Sequence, residues 1–422
     1  MQGLPFEIVD KILAYVPQKD RVDSFSRVCR RFHEAVARRT VAVTNVRMSP
    51  ARMREFGHFI RRRADCLTTL QFHHGVIAVD TEEPAPSGYH RLSGIPSPTL
   101  SIVPVQLPCV TVLNLSRNDW LDSTAVQHLT ALCPAVRDVS FANCRRIDDE
   151  CALLIGACWT NCVKINLQRC RLLSDYGVGK LLYQLAGHGT LRYFNIAGVS
   201  YITDRVFQDV WENSLFALEE FHMACRDLFD EDIRALVNAA PNIKRLYLSH
   251  CSELFERTYD IIKNLQLTHL SVEDVVSVRR DTITDLVSAP ALQNLLYLRL
   301  EHVYDLDNRF ALALVTHLQL LEELVIDLHD VNSIESENSQ SIMDDNGFES
   351  IWCSLNRLKT LAVRYNRKIT GMVLACKPNS LPLLQKLDLK GCVNIKLWAL
   401  LQFMDQRGRQ PAVEISIPDV IR

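Results

Sequence analysis

The residues of this chain most able to do chemistry are five closely spaced cysteines: Cys144, Cys151, Cys158, Cys162 and Cys170. Thiolates grouped in this way could hold zinc or pair as disulfides. Zinc takes four tetrahedral sulfur or nitrogen ligands, usually opened by a C-x2-C pair, and no two of these five stand at that spacing. The chain's 14 cysteines would suggest a disulfide framework in a secreted protein. Its first residues run straight into helical and repeat-like sequence, so no signal peptide is expected, and the sequon Asn114-Leu-Ser116 carries little weight. The other reactive-looking groups are equally thin. His73-His74 fits a solvated pair. Asp148-Asp149 fits the opening of a helix, whose N-terminal partial charge carboxylates stabilise. Gly177-Val-Gly179 lacks the third glycine of a dinucleotide turn, and there is no P-loop, H-E-x-x-H or G-x-S-x-G. No catalytic residue, metal or cofactor is expected, so the chain is not read as an enzyme.

The elements that position these cysteines explain them better. Val136-Arg-Asp-Val139-Ser-Phe141-Ala-Asn-Cys144, Cys162-Val-Lys-Ile165-Asn-Leu167-Gln-Arg-Cys170, Ile243-Lys-Arg-Leu246-Tyr-Leu248-Ser-His-Cys251 and Leu384-Gln-Lys-Leu387-Asp-Leu389-Lys-Gly-Cys392 superpose. Each has apolar residues at positions one, four and six and cysteine at position nine, the pattern of a leucine-rich repeat. Copies begin at Leu67, Val110, Val136, Cys162, Leu191, Leu218, Ile243, Leu267, Leu295, Leu321, Leu358 and Leu384, mostly 24 to 29 residues apart. Weaker ones lie at Thr40-Val41-Ala-Val43 and Ala412-Val-Glu-Ile415-Ser-Ile417. Helical spacing follows the strands: Ile147, Cys151, Leu154, Ile155 and Cys158 share one face, and Thr203 can cap a helix carrying Val206, Phe207, Val210 and Trp211. The expected fold is therefore α/β, a curved solenoid with its parallel sheet inside and helices outside. The cysteines become small buried side chains in the turn after each strand. Two gaps, near 81–108 and 330–349, read as loops inserted into the repeats.

Composition sets the remaining bounds. The chain has 422 residues, 48% apolar and 23% charged, with a net charge of −2. That balance gives no bulk attraction to nucleic acid or to an anionic membrane surface. No apolar run is long enough to span a bilayer. A cytoplasmic or nuclear location, or both, is expected.

Residues 1–39 follow a different logic from residues 40–422. Leu4-Pro5 is a good helix entry, and Ile8, Val9, Ile12, Leu13 and Val16 form one apolar stripe that Pro17 ends. Asp20 can begin a second helix carrying Val22, Phe25, Val28, Cys29 and Phe32. On Leu4, Pro5, Glu7, Ile8, Ile12, Leu13, Pro17, Asp20, Val28, Cys29 and Arg31 the segment resembles an F-box. Followed by cysteine-type repeats, it resembles the F-box/leucine-rich-repeat family over nearly the whole chain. It departs at Phe32, where the family often has Trp, and at Arg21, where Leu is common. The resemblance implies a substrate receptor of an SCF-type ubiquitin ligase. Leu4, Pro5, Ile8, Ile12, Leu13 and Val28 would dock on a Skp-type adaptor, through it reach cullin and RING subunits, and the repeats would hold a target protein. The alternative is a binding scaffold whose first helices only cap the solenoid.

If positions four and six face the core, positions three, five and seven face outward on the sheet. Twelve strands at about 4.8 Å spacing, with about 13 Å of exposed strand, offer on the order of 700 Å² to a partner, close to one protein interface. Tyr193, Arg245, Tyr247, Tyr297 and Arg299 are of the types that dominate interface energies, and they form the candidate centre for the unknown protein substrate. A small anionic ligand would need converging cations. Arg245, Arg299 and Arg364 are read as several strands apart, so none is expected.

Overall fold

The computed structural model describes residues 69–71, 107–119, 121–200, 202–207, 214–225, 228–251, 254–273, 280–302, 306–328, 342–407 and 413–416. The chain forms two compact units, Met1–Tyr201 and Ile202–Arg422. Both are stacks of α/β leucine-rich repeats.

In the first unit the described strands are β1 (Thr69–Gln71), β2 (Val112–Asn114), β3 (Asp138–Ser140), β4 (Lys164–Asn166) and β5 (Tyr193–Asn195). Helices α1 (Ser123–Leu132), α2 (Asp149–Cys158) and α3 (Asp175–Ala186) alternate with β2–β5. The second unit continues the alternation. Its strands are β6 (Glu220–Ala224), β7 (Arg245–Ser249), β8 (His269–Glu273), β9 (Tyr297–Glu301), β10 (Glu323–Asp327), β11 (Thr360–Arg364), β12 (Lys386–Asp388) and β13 (Glu414–Ser416). Its helices are α4 (Asp230–Ala239), α5 (Glu256–Ile262), α6 (Arg280–Val287), α7 (Asn308–His317), α8 (Asp345–Ser354), α9 (Met372–Cys376) and α10 (Leu397–Arg407). Within each unit successive strands pair in parallel and in repeat register, so that Leu246, Leu270, Leu298, Leu324, Leu361 and Leu387 form one core row. All six are fully buried, each worth about 1.5–3 kcal/mol relative to exposure. Every strand through β12 starts two residues after the repeat start read from the sequence, at position three. No helix among the described residues is long and apolar enough to cross a membrane.

The turn after the strand is tightly specified. Arg117, Asn143, Arg169, His250, His302 and Tyr365 adopt φ between 54° and 63°, with Gly198 and Gly391 at the equivalent places. That left-handed residue turns its N–H onto the next repeat, as in Asn143 N to Gln168 O at 2.7 Å and Tyr365 N to Lys390 O at 2.8 Å. The cysteine thiols then complete the turn: Cys144 donates to Leu115 O at 3.1 Å, Cys170 to Phe141 O at 3.1 Å and Cys392 to Val363 O at 3.0 Å. Burial pushes Cys144 and Cys392 up to about 12, so these thiols stay protonated donors. Cys158 departs from the expected core face and is exposed at the end of α2, while Ile155 and Trp159 on either side of it are buried.

Asp148 and Asp149 divide their work. Asp148 caps α2, accepting from Cys151 N at 3.0 Å. Asp149 accepts from Ser174 N at 2.8 Å and Ser174 Oγ at 2.6 Å in the next repeat. Asp230 does the same for Thr258, and Asp345 for Thr370. Gly177 follows from this strap, since a Cβ there would lie 2.7 Å from the Asp149 Cα. Gly177 therefore serves packing. Two sequence expectations need adjustment. The segment after Ile202 is a 3-10 turn, Asp204–Phe207, with Thr203 Oγ1 accepting from Arg205 N at 3.3 Å; Val210 and Trp211 lie outside the described residues. In the 330–349 segment, residues 345–349 already belong to α8, and 329–341 lie outside the described residues, as does most of 81–108.

Candidate functional site

Alternation along the strands of the second unit turns every second side chain away from the leucine row. On β6 and β7 these are Glu220 and His222, then Arg245 and Tyr247, which lie opposite one another in register. The His222 ring stacks on Tyr247 at 4.1 Å between centroids and 8° between planes. His222 Nε2 sits 2.7 Å from Glu220 Oε1. Arg245 Nε reaches within 2.5 Å of Glu220 Oε2, outside hydrogen-bond alignment, so the contact is an ion pair. Burial pushes the Glu220 carboxyl up, but the bond to His222 and the Arg245 charge outweigh it and hold Glu220 below the usual carboxylate range.

Two strands on, Tyr297 of β9 comes within 6.2 Å of the Tyr247 ring and stacks with His269 at 5.8 Å. Ser271 of β8 lies beneath, only 2% exposed. The four rings form an aromatic shelf across β6–β9. Burial first, then the Arg245 charge, holds the His269 imidazole below its ordinary value, so it stands neutral on the shelf. Burial likewise raises the Tyr297 phenol.

Beside the shelf runs a connected ion-pair network. Arg299 lies 3.3 Å from Glu273 and 2.7 Å from Glu301. Arg364 of β11 bridges three other strands: Asp388 of β12 at 2.9 Å, Glu301 of β9 at 3.3 Å and Asp327 of β10 at 3.4 Å. The sequence placed Arg299 and Arg364 several strands apart, yet the structure joins them through Glu301, because long side chains lean along the sheet.

The candidate residues therefore separate. Tyr247 and Tyr297 come together, and Arg245 and Arg299 flank them with carboxylates already attached. Tyr193 lies on β5 in the first unit. Leu4, Pro5, Ile8, Ile12, Leu13 and Val28 lie outside the described residues. The sequence reading missed Glu323 and Asp327, which occupy outward positions three and seven of the repeat that contains β10. Val325 between them makes Leu324-Val-Ile326 a continuous apolar run that hides the alternation. A strict repeat count would have found both.

Comparison with known proteins supplies what the described residues leave open. Residues 1–41 match the F-box domain family. Joined to the leucine-rich repeats described above, this makes the chain an F-box/leucine-rich-repeat protein. No curated protein matches its sequence. Solved structures that align with it include the complex of Rad7 and Elc1 from yeast, at 17% identity and a TM-score of 0.49, covering 72% of this chain and 81% of that one.

Proposed function

We propose that this protein is the substrate-recognition subunit of an SCF-type E3 ubiquitin ligase in the cytoplasm or nucleus. The F-box at residues 1–41, joined to a repeat body, carries the reading. Its apolar residues Leu4, Pro5, Ile8, Ile12, Leu13 and Val28 dock in the groove of a Skp-type adaptor. The adaptor joins a cullin scaffold, its RING subunit and a charged E2. The repeats hold the target protein, centred on Tyr247 and Tyr297, for ubiquitination and degradation. The chemistry belongs to other subunits, and this chain contributes proximity, which can be worth several kcal/mol of barrier.

Co-expression with a Skp-type adaptor, followed by size-exclusion chromatography with light scattering, tests this reading. An equimolar complex is expected, lost on deletion of residues 1–39 and in the Ile12→Asp, Leu13→Asp variant. A lone monomer beside free adaptor would make the chain a binding scaffold with a helical cap.

A further inference from the structure

One helix of the second unit differs from the others. α10 opens Leu397-Trp-Ala-Leu-Leu-Gln-Phe-Met404, apolar on every side, and a helix of that kind is ordinarily buried all round. Here only one side is. Ala399, Leu400 and Phe403 are buried, α10 packs on α9, and the Phe403 ring meets Trp352 edge-on at 5.6 Å. On the opposite side Leu397, Trp398, Leu401 and Met404 are 48–56% exposed, and no other helix among the described residues leaves more than two large apolar side chains open. Three- and four-residue spacing joins these four into one stripe. Stacked repeats need a polar outer face where the stack stops, and α10, the last described helix, lacks one.

The stripe leaves on the order of 400 Å² of apolar surface open, as much as the largest patch of an ordinary monomer and about half of the ~800 Å² that each partner buries in a stable complex. A polar rim supplies the rest: Gln402, Asp405 and Gln406 are exposed beside it. Pairing about a two-fold axis brings each group of a face towards its own copy. Amides tolerate that, since each offers both donor and acceptor, whereas a charged rim repels itself. Asp405 is the single charged residue from 397 to 406. An antiparallel pairing centred on Leu401 keeps the two Asp405 residues about 12 Å apart along the helix, beyond the screening length of physiological salt.

We propose that two copies of this chain associate through α10, antiparallel about Leu401, with Leu397 of one copy against Met404 of the other and Gln402 beside its own counterpart. Such a dimer carries two F-boxes and two repeat faces in one particle.

The test is sedimentation equilibrium of the full chain, with a Skp-type adaptor where it co-purifies, from nanomolar to high micromolar concentration. The mass should rise to that of two chains per particle. Leu401→Glu, at an exposed site, should weaken the association at least on the order of tenfold, with a melting curve that matches the wild type. Leu312→Glu on α7, 61% exposed, should leave the association unchanged. Gln402→Lys and Gln402→Glu should each weaken it, and mixing those two variants should restore it. One chain per particle at every concentration overturns the proposal and leaves the stripe to residues 417–422 of this chain or to a different protein. Equal effects of L401E and L312E, or no restoration on mixing, overturn it as well. Adaptor binding is read from the same masses, so a dimer without adaptor sinks the ligase reading alone and a one-to-one adaptor complex that never doubles sinks this inference alone.

Discussion

Arg364→Met isolates the contribution of the ion-pair network. In the wild type one guanidinium ties β9, β10, β11 and β12 through contacts of 3.3, 3.4 and 2.9 Å. The carboxylate side chains it meets are only 9–12% exposed, while Arg364 itself is 27% exposed. Removing one member of a fully buried pair costs about 3–5 kcal/mol, because the partner charge is stranded away from water. Here Asp327 and Asp388 lose their guanidinium while Glu301 keeps Arg299, and water reaches the arginine side, so the loss is set lower, at about 2–3 kcal/mol. For a unit of this size each kcal/mol moves the midpoint by about 2–4 °C, giving a drop of about 4–12 °C. The assay is a calorimetric melt following the transition of the second unit. Asp388→Asn supplies the internal control. It should destabilise the wild type, where it removes a charge-assisted bond, and stabilise R364M, where it removes a stranded charge. If R364M melts within about 1 °C of the wild type, or D388N is destabilising in both backgrounds, the network is solvent-screened and the reasoning fails.

Other expectations follow from single contacts. The His269 imidazole is held below its ordinary 6.5 by burial and then by Arg245. As pH falls below 6.5 the unfolded chain takes up that proton first, so stability should decline from pH 7 towards 5; His269→Gln should flatten the decline, and unchanged slopes would refute the assignment. Asp345→Ala should cost about 1–3 kcal/mol, because it strands Thr370 N–H and Oγ1, bonded at 2.8 and 2.6 Å. Adding Thr370→Val should then cost little more, and additive losses in urea unfolding would show the two do not act as one strap. Arg169, exposed at φ 57°, should tolerate glycine with a gain of up to about 1 kcal/mol, since the left-handed strain outweighs glycine's entropic cost; a loss would mean the side chain contributes more than its backbone costs.

Much of the fold was legible because repetition multiplies a weak signal. One apolar-x-x-apolar-x-apolar stretch says little, but the same offset recurring through Leu246, Leu298 and Leu387 fixes strand, face and register together. The cysteines were legible for the same reason: their ninth position is where the left-handed turn leaves room for a small donor. What was not legible depends on side-chain reach. Nothing in the spacing of Glu301, Asp327, Arg364 and Asp388 says that one guanidinium spans four strands. Nor does it say that Arg245 and Arg299, selected as partner-seeking cations, are held by Glu220, Glu273 and Glu301. The residues proposed for adaptor docking were read from residue order alone, and the family match covers residues 1–41.

The placement of those ion pairs bears on how such a face can bind at all. Association must overcome the entropy of ordering long side chains, about 0.5–1.5 kcal/mol for each one immobilised. On β6–β11 that ordering accompanies folding: Arg299 and Arg364 are clamped by neighbouring carboxylates, and Tyr247 and Tyr297 are braced by His222 and His269. A partner then meets a surface already set, so modest contacts suffice for capture. The core beneath is held by the leucine row, the thiol bonds and the aspartate straps, to which the outward Arg364 network adds a few kcal/mol. A fold of this kind can exchange its outward residues, and with them its target, while keeping its architecture.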